Sequence, residues 1–196
     1  MNWFGSFSKA VASAAVVLSL GVTSASAAPD AYDVDAVHSA VLFRVQHMKA
    51  GYTYGRFNEL SGKLVLDEAN PSASSIEVEV KATSVDTNDK KRDDHLRGPD
   101  FFNVAQFPTL TFKSTAVKAA GTKFDVTGDL TMHGVTKSVT VSMEKTGAGS
   151  DPWGFIRVGF EGTLTVKRSE FGMDKMLEGV GDEIRVTLAF EGARKK

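Results

Sequence analysis

The chain has 196 residues, with 42% hydrophobic and 24% charged side chains, the balance of a folded domain rather than a disordered one. It contains no cysteine, which excludes disulfides, thiolate zinc sites, iron–sulfur clusters, cysteine nucleophiles and an acylated lipoprotein anchor. A formal net charge of −1 argues against a general nucleic-acid binder, which would show a basic excess.

The first segment reads as a signal peptide. Lys9 is the only charged residue before Asp30, and it precedes an apolar run over residues 10–20. That run has the length of a signal core and is too short to span a bilayer. Ala25 and Ala27 then form an A-x-A site, which places cleavage after Ala27. Residues 1–27 are assigned to the signal and residues 28–196 to a single exported domain. No later apolar span follows, so no stable membrane insertion is expected, and the periplasm is the expected compartment.

From residue 31 onward the dominant pattern is alternation with a period of two, the mark of strands with one dry and one wet face. Residues 32–37 suggest a short leading strand, bent near His38. Val41, Phe43, Val45 and His47 then share the apolar phase of the first long strand. Leu60, Leu64 and Leu66 mark a strand over 56–67, and Ile76, Val78 and Val80 one over 75–86. The pattern breaks at Asn88, a candidate cap for a helix over 89–97 that ends at Gly98-Pro99. A compact turn with Phe101, Phe102 and Phe107 follows. It reads either as a plug in one end of the fold or as part of a ligand portal.

Alternation resumes with Leu110 and Phe112 over 109–117. Ala120-Gly121 gives a turn into Phe124, Val126, Leu130 and Met132, and His133-Gly134 a turn into Val139, Val141 and Met143. Two further strands carry Ile156, Val158, Phe160, Leu164 and Val166, then Ile184, Val186, Leu188 and Phe190. Apart from the short leading strand, eight mostly antiparallel strands, each with one apolar face, must pair as a sandwich or close as a barrel. Periodicity alone does not choose between them.

Catalytic motifs are missing. No Ser has Gly two residues away on both sides, so there is no nucleophile elbow. Gly147-x-Gly149 and Gly179-x-Gly181 lack the third glycine of a dinucleotide fingerprint. The four histidines, 38, 47, 95 and 133, form no local metal pair, and neither a metal nor a cofactor is expected. His47 stands out because an inward imidazole must find a hydrogen-bond partner, in the backbone or on a ligand head group. Asp35-x-x-His38-Ser39 could serve as base, acid and nucleophile, but Asp, His and Ser at a bend also stabilise turns. The mixed run 89–94 reads as a solvated helix face, or as a polar rim in which Arg92 or Arg97 meets an anionic head group.

Several motifs together resemble the YceI-like family. Tyr32-x-x-Asp35-x-x-His38-Ser39 with Phe43 and His47 resembles its opening motif. The likeness continues through Gly55-x-Phe57, Asp94-His95-Leu96, Asp100-Phe101-Phe102 and Phe107-Pro108-x-Leu110-x-Phe112. It ends with Gly128-x-Leu130-Thr131-x-His133-Gly134, Arg168-x-x-Phe171-Gly172 and Gly181-Asp182-Glu183. The resemblance implies an all-β, eight-stranded antiparallel lipocalin-like barrel with a short helix and an apolar tunnel. It implies a periplasmic carrier of one long apolar lipid: a polyisoprenoid, an isoprenoid quinone or a fatty-acid-type chain.

Burying a methylene gains about 0.8 kcal/mol, so a chain of about twelve carbons gains roughly 10 kcal/mol gross before ordering costs. The expected lining is Val41, Phe43 and Val45, then Leu64, Val78, Leu110 and Phe112, then Leu130, Met132, Val141 and Phe160. His38 and His47 are the polar candidates at the ligand. The competing readings are a small periplasmic hydrolase or isomerase using Asp35, His38 and His47, and a ligand-free sandwich with a filled core. A homodimer through the outward face of an edge strand is compatible with the pattern.

Overall fold

The computed structural model describes Met1 and residues 28–196, so the expected signal core and A-x-A site, within residues 2–27, lie outside the described residues. Eleven strands form one antiparallel sheet in the order β1-β4-β5-β7-β8-β9-β10-β11-β2-β3-β6, and a β1–β11 pairing closes the ring. The early strands are β1 (Asp30–Val34), β2 (Ala40–His47), β3 (Gly51–Phe57), β4 (Leu60–Leu66), β5 (Ser75–Lys81) and β6 (Val85–Asp86). The later ones are β7 (Thr109–Ala120), β8 (Lys123–Met132), β9 (Val135–Ser150), β10 (Phe155–Lys167) and β11 (Val180–Lys195).

The eleven reduce to eight staves. β11 pairs with β2 from Val180 to Ala189 and with β1 at Gly192 and Ala193, so β1 and β2 are two halves of one bent strand. β3 and β4 form a second bent strand, and β5 and β6 a third. The barrel is therefore an eight-stranded up-and-down meander, as the alternation and the resemblance together anticipated.

The first two bends each have a polar fastener. At the first, Asp35 N donates to Glu191 O at 2.8 Å, the Asp35 carboxylate accepts from Val37 N, and Ser39 Oγ accepts from Glu191 N. At the second, the buried Ser84 hydroxyl accepts from Asn58 N and Glu59 N at 3.1 and 3.0 Å. Asp35 and Ser39 thus do the turn-stabilising work that their position at a bend suggested.

The interior is built by the inward phase of each strand. Large side chains lie over glycines on neighbouring strands: a Cβ at Gly55 would collide with the Phe43 ring, and one at Gly128 with the Phe112 ring. The β8–β9 turn takes positive φ at both His133 (52°) and Gly134 (75°), the two-residue geometry that suits a twisted hairpin.

Helix α1 (Lys90–Arg97) departs from expectation by one residue at its start. Asp89, not Asn88, is the cap, and its carboxylate accepts from Arg92 N at 2.9 Å. Asn88 instead takes φ 62° in the turn before it. Arg92 donates to Thr87 Oγ1 and O, and Arg97 to Thr83 O and Val85 O. Both guanidinium groups therefore tie α1 to the segment 83–87 that contains β6. The chain after α1 folds across this end of the barrel.

Candidate functional site

The barrel encloses a cavity of about 190 Å³ lined by 28 residues. Only Thr111 and Arg168 among them carry polar side-chain atoms. All eight staves contribute to the wall. Leu96 of α1 and Phe101 and Phe102 of the α1–β7 connection line this cavity, whereas Phe107 packs edge-on against His133, centroids 4.9 Å apart, outside it. Phe101 and Phe102 thus stand on the cavity wall as the plug reading expects, and Phe107 does not.

Of the expected lining, Val41, Phe43, Val45, Val78, Leu110, Phe112, Leu130, Met132 and Val141 face this cavity. Leu64 and Phe160 face a second, smaller cavity of about 50 Å³ toward the other end of the barrel. They share the inward phase but sit too far along their strands to reach the main space.

The two histidines line neither cavity. His47 is exposed at the last position of β2, opposite Gly51. The alternation correctly gives its phase, but the strand ends there in a tight hairpin, with Met48 and Lys49 at φ 49° and 56°. An inward phase beyond the covered depth meets solvent. His38 is exposed at the first bend, and its Nδ1 lies 3.0 Å from the Asp35 carboxylate.

Asp35 belongs to a charged cluster outside the cavities. Arg157 Nη1 donates to Asp35 at 2.7 Å and to Glu191, and Arg157 Nε donates to Asp151 at 2.8 Å. The guanidinium, with help from His38, holds the Asp35 carboxyl far below the usual carboxylate range. The carboxylates in turn push Arg157 upward, Asp35 foremost. Asp35, His38 and Glu191 bring ligand-type atoms within 4.8 Å of one another. Arg157 already supplies their cation, so the chemistry of the group is that of an ion-pair clasp across the β1–β2 bend.

The proposed catalytic set is also dispersed. β2 covers eight residues, about 23 Å end to end, with Asp35 and His38 before its start and His47 at its finish. The remaining histidines also line neither cavity. His133 Nδ1 donates to Phe171 O at 3.0 Å, tying the β8–β9 hairpin to the turn after β10. His95 Nε2 lies 3.4 Å from Asp100, and its ring meets Phe101 edge-on.

Arg168 entered the sequence reading only within the Arg168-x-x-Phe171-Gly172 motif, with no role attached. It lies 3% exposed in the 3-10 turn Arg168–Phe171. Nε donates to Gly181 O at 3.0 Å, Nη1 to Met173 O at 2.7 Å and Nη2 to Val180 O at 2.7 Å. Both ends of the 173–180 connection are thereby pinned by one guanidinium beside the cavity. Burial lowers its pKa, and the charges of Asp182 and Asp174 oppose that. A signal was present: Arg168 continues the inward phase of Leu164 and Val166 on β10.

The match to known proteins covers the barrel as a whole. The YceI-like domain model matches residues 32–192. A UPF0312 protein of Pseudomonas aeruginosa is 45% identical over 163 residues, covering 83% of this chain and 85% of that protein. The crystal structure of Burkholderia cenocepacia BcnA matches with a TM-score of 0.74 and 30% identity, over 81% of this chain and 98% of that one. A polyisoprenoid-binding domain from Saccharophagus degradans shares the fold, with a TM-score of 0.65 at 17% identity over 84% of this chain and 98% of that one. An eight-staved barrel with an apolar interior, matched by the family model over nearly its whole length, makes this chain a member of the YceI-like family.

Proposed function

We propose that this protein is an exported carrier that holds one long apolar lipid inside its barrel. The single observation behind this reading is the cavity. A void of about 190 Å³ left empty in a core would cost roughly 4–5 kcal/mol at about 24 cal/mol per Å³. Native interiors pack densely and leave few voids larger than a water. An apolar wall does not hold ordered water, which needs polar partners. A hydrocarbon chain satisfies this wall and recovers that loss.

The wall also constrains the ligand. It offers two polar side chains, and the guanidinium of Arg168 is directed to carbonyls of its own connection. The buried part of the ligand is therefore hydrocarbon, and a quinone or phosphate head belongs at the end of the barrel rather than along it. The polyisoprenoid-binding description of the Saccharophagus domain is consistent with this class, although that likeness carries the fold alone. Export to the periplasm rests on the apolar run and A-x-A site within residues 1–27. Among the described residues no helix is long and apolar enough to cross a membrane.

Calorimetric titration of the delipidated protein with geranylgeraniol tests the reading. One chain per protein, micromolar or tighter, with a negative heat-capacity change is expected, since burial of apolar surface sets that sign. Absence of binding, or a heat-capacity change near zero, would contradict it.

A further inference from the structure

We propose that Met143 is a movable partition that sets the longest chain the barrel accepts. The inference rests on the carrier reading and adds a determinant of ligand length to it. The main cavity of about 190 Å³ and the second of about 50 Å³ share four lining residues: Ile76, Val126, Met143 and Phe190. These four form the wall between the two spaces. Val126 is short and stiff, Ile76 is branched at Cβ, and Phe190 is a rigid ring. Met143 alone is unbranched with three side-chain torsions, so it is the element of the wall able to yield.

Its position has been prepared by its neighbour. Met143 on β9 pairs in register with Gly162 on β10. A Cβ at Gly162 would collide with the Met143 sulfur, so the missing side chain is the space the thioether occupies. Met143 is 7% exposed and lies between the spaces rather than at a rim. Beyond it the second cavity continues past Leu64, Val117, Phe124 and Phe160 toward Ser74 and Ser75. A chain entering from the α1 end meets Met143 after filling the main cavity. It gains further burial only if the thioether is displaced from its place over Gly162. In close packing that displacement offsets what the few carbons of a 50 Å³ space would contribute.

The length dependence of binding follows. Each buried methylene strengthens binding about fourfold, until no further carbon finds apolar wall. Wild type is expected to show this rise and then a plateau where the main cavity is full. Met143→Ala joins the two spaces and adds the volume the side chain vacates, so the rise continues for about three further carbons or more. The longest chains then bind on the order of 60-fold tighter relative to the chain at the wild-type plateau. Met143→Val removes the thioether and the end methyl with less loss of packing and suits a strand, so it keeps the test usable if the alanine variant does not fold.

The experiment is a titration of delipidated wild type, Met143→Ala and Met143→Val with straight-chain primary alcohols from about 10 to about 22 carbons, a series in which only buried methylenes change. A plateau shifted to longer chains in a folded variant supports the partition. An unmoved plateau in folded Met143→Val overturns it while leaving the carrier reading intact. Failure of wild type to bind any alcohol overturns the carrier reading, and the partition with it.

Discussion

Val78→Trp is expected to abolish binding of a long lipid while the barrel still folds. Val78 is 5% exposed at the middle of β5, paired with Gly62 on β4 and Phe112 on β7, and it faces the main cavity. An indole there occupies the space a chain would fill. Overpacking a closed core costs about 1–3 kcal/mol, and here the cavity absorbs part of the added volume. A folded domain of ordinary stability, about 5–15 kcal/mol, survives that. The indole N–H is a separate cost, because the surrounding wall has almost no acceptor. Val78→Phe, which blocks nearly as much space without a buried donor, removes that complication. Both variants are expected to retain wild-type circular dichroism and to lose at least about tenfold of the lipid bound, a change worth about 1.4 kcal/mol. Wild-type lipid content in a folded variant would place the ligand outside the barrel.

Arg168→Leu is expected to produce the largest loss of stability. The side chain is buried, and its three donors satisfy the carbonyls of Met173, Val180 and Gly181. Leucine leaves all three unpaired and deprives Asp182 of a neighbouring charge. Breaking a buried charged contact of this kind costs about 3–5 kcal/mol. For a chain of this size each kcal/mol lowers Tm by about 2–4 °C, so a fall on the order of 10 °C is expected in a thermal melt. Arg168→Lys keeps the charge but loses the planar fork that reaches several carbonyls at once, and it is expected to recover only part of the loss. A lysine variant as stable as wild type would show that the charge, and not the fork, holds the 173–180 connection.

The sequence carried more of the fold than of the site. Alternation of apolar and polar side chains located the strands because each stave has one face toward the interior and one in water. It missed most of β3, where Tyr52 and Tyr54 are exposed and Gly51 and Gly55 interrupt the apolar phase. It could not distinguish sandwich from barrel, since closure depends on the β1–β11 pairing of residues far apart in sequence. The resemblance supplied that step.

Phase and depth also came apart at the site. The same period of two assigned inward positions to His47 and to Leu64 as readily as to Val78. His47 is the exposed last residue of its strand, and Leu64 belongs to the second cavity. Arg168 was the reverse case, a charge on the inward phase that depth makes buried. Its partners are backbone carbonyls brought together only by the fold, and a sequence pattern does not register those. Met143 was legible as an inward residue, but its place between two spaces required the register with Gly162.

Organic extraction and mass spectrometry of the protein isolated from its native host without detergent tests the carrier claim most directly. The account predicts close to one long-chain lipid per folded protein, of polyprenyl, quinone or fatty-acyl class, released only when the barrel is denatured or extracted. Folded protein that yields no stoichiometric lipid, and takes up none when incubated with lipid vesicles, would contradict it.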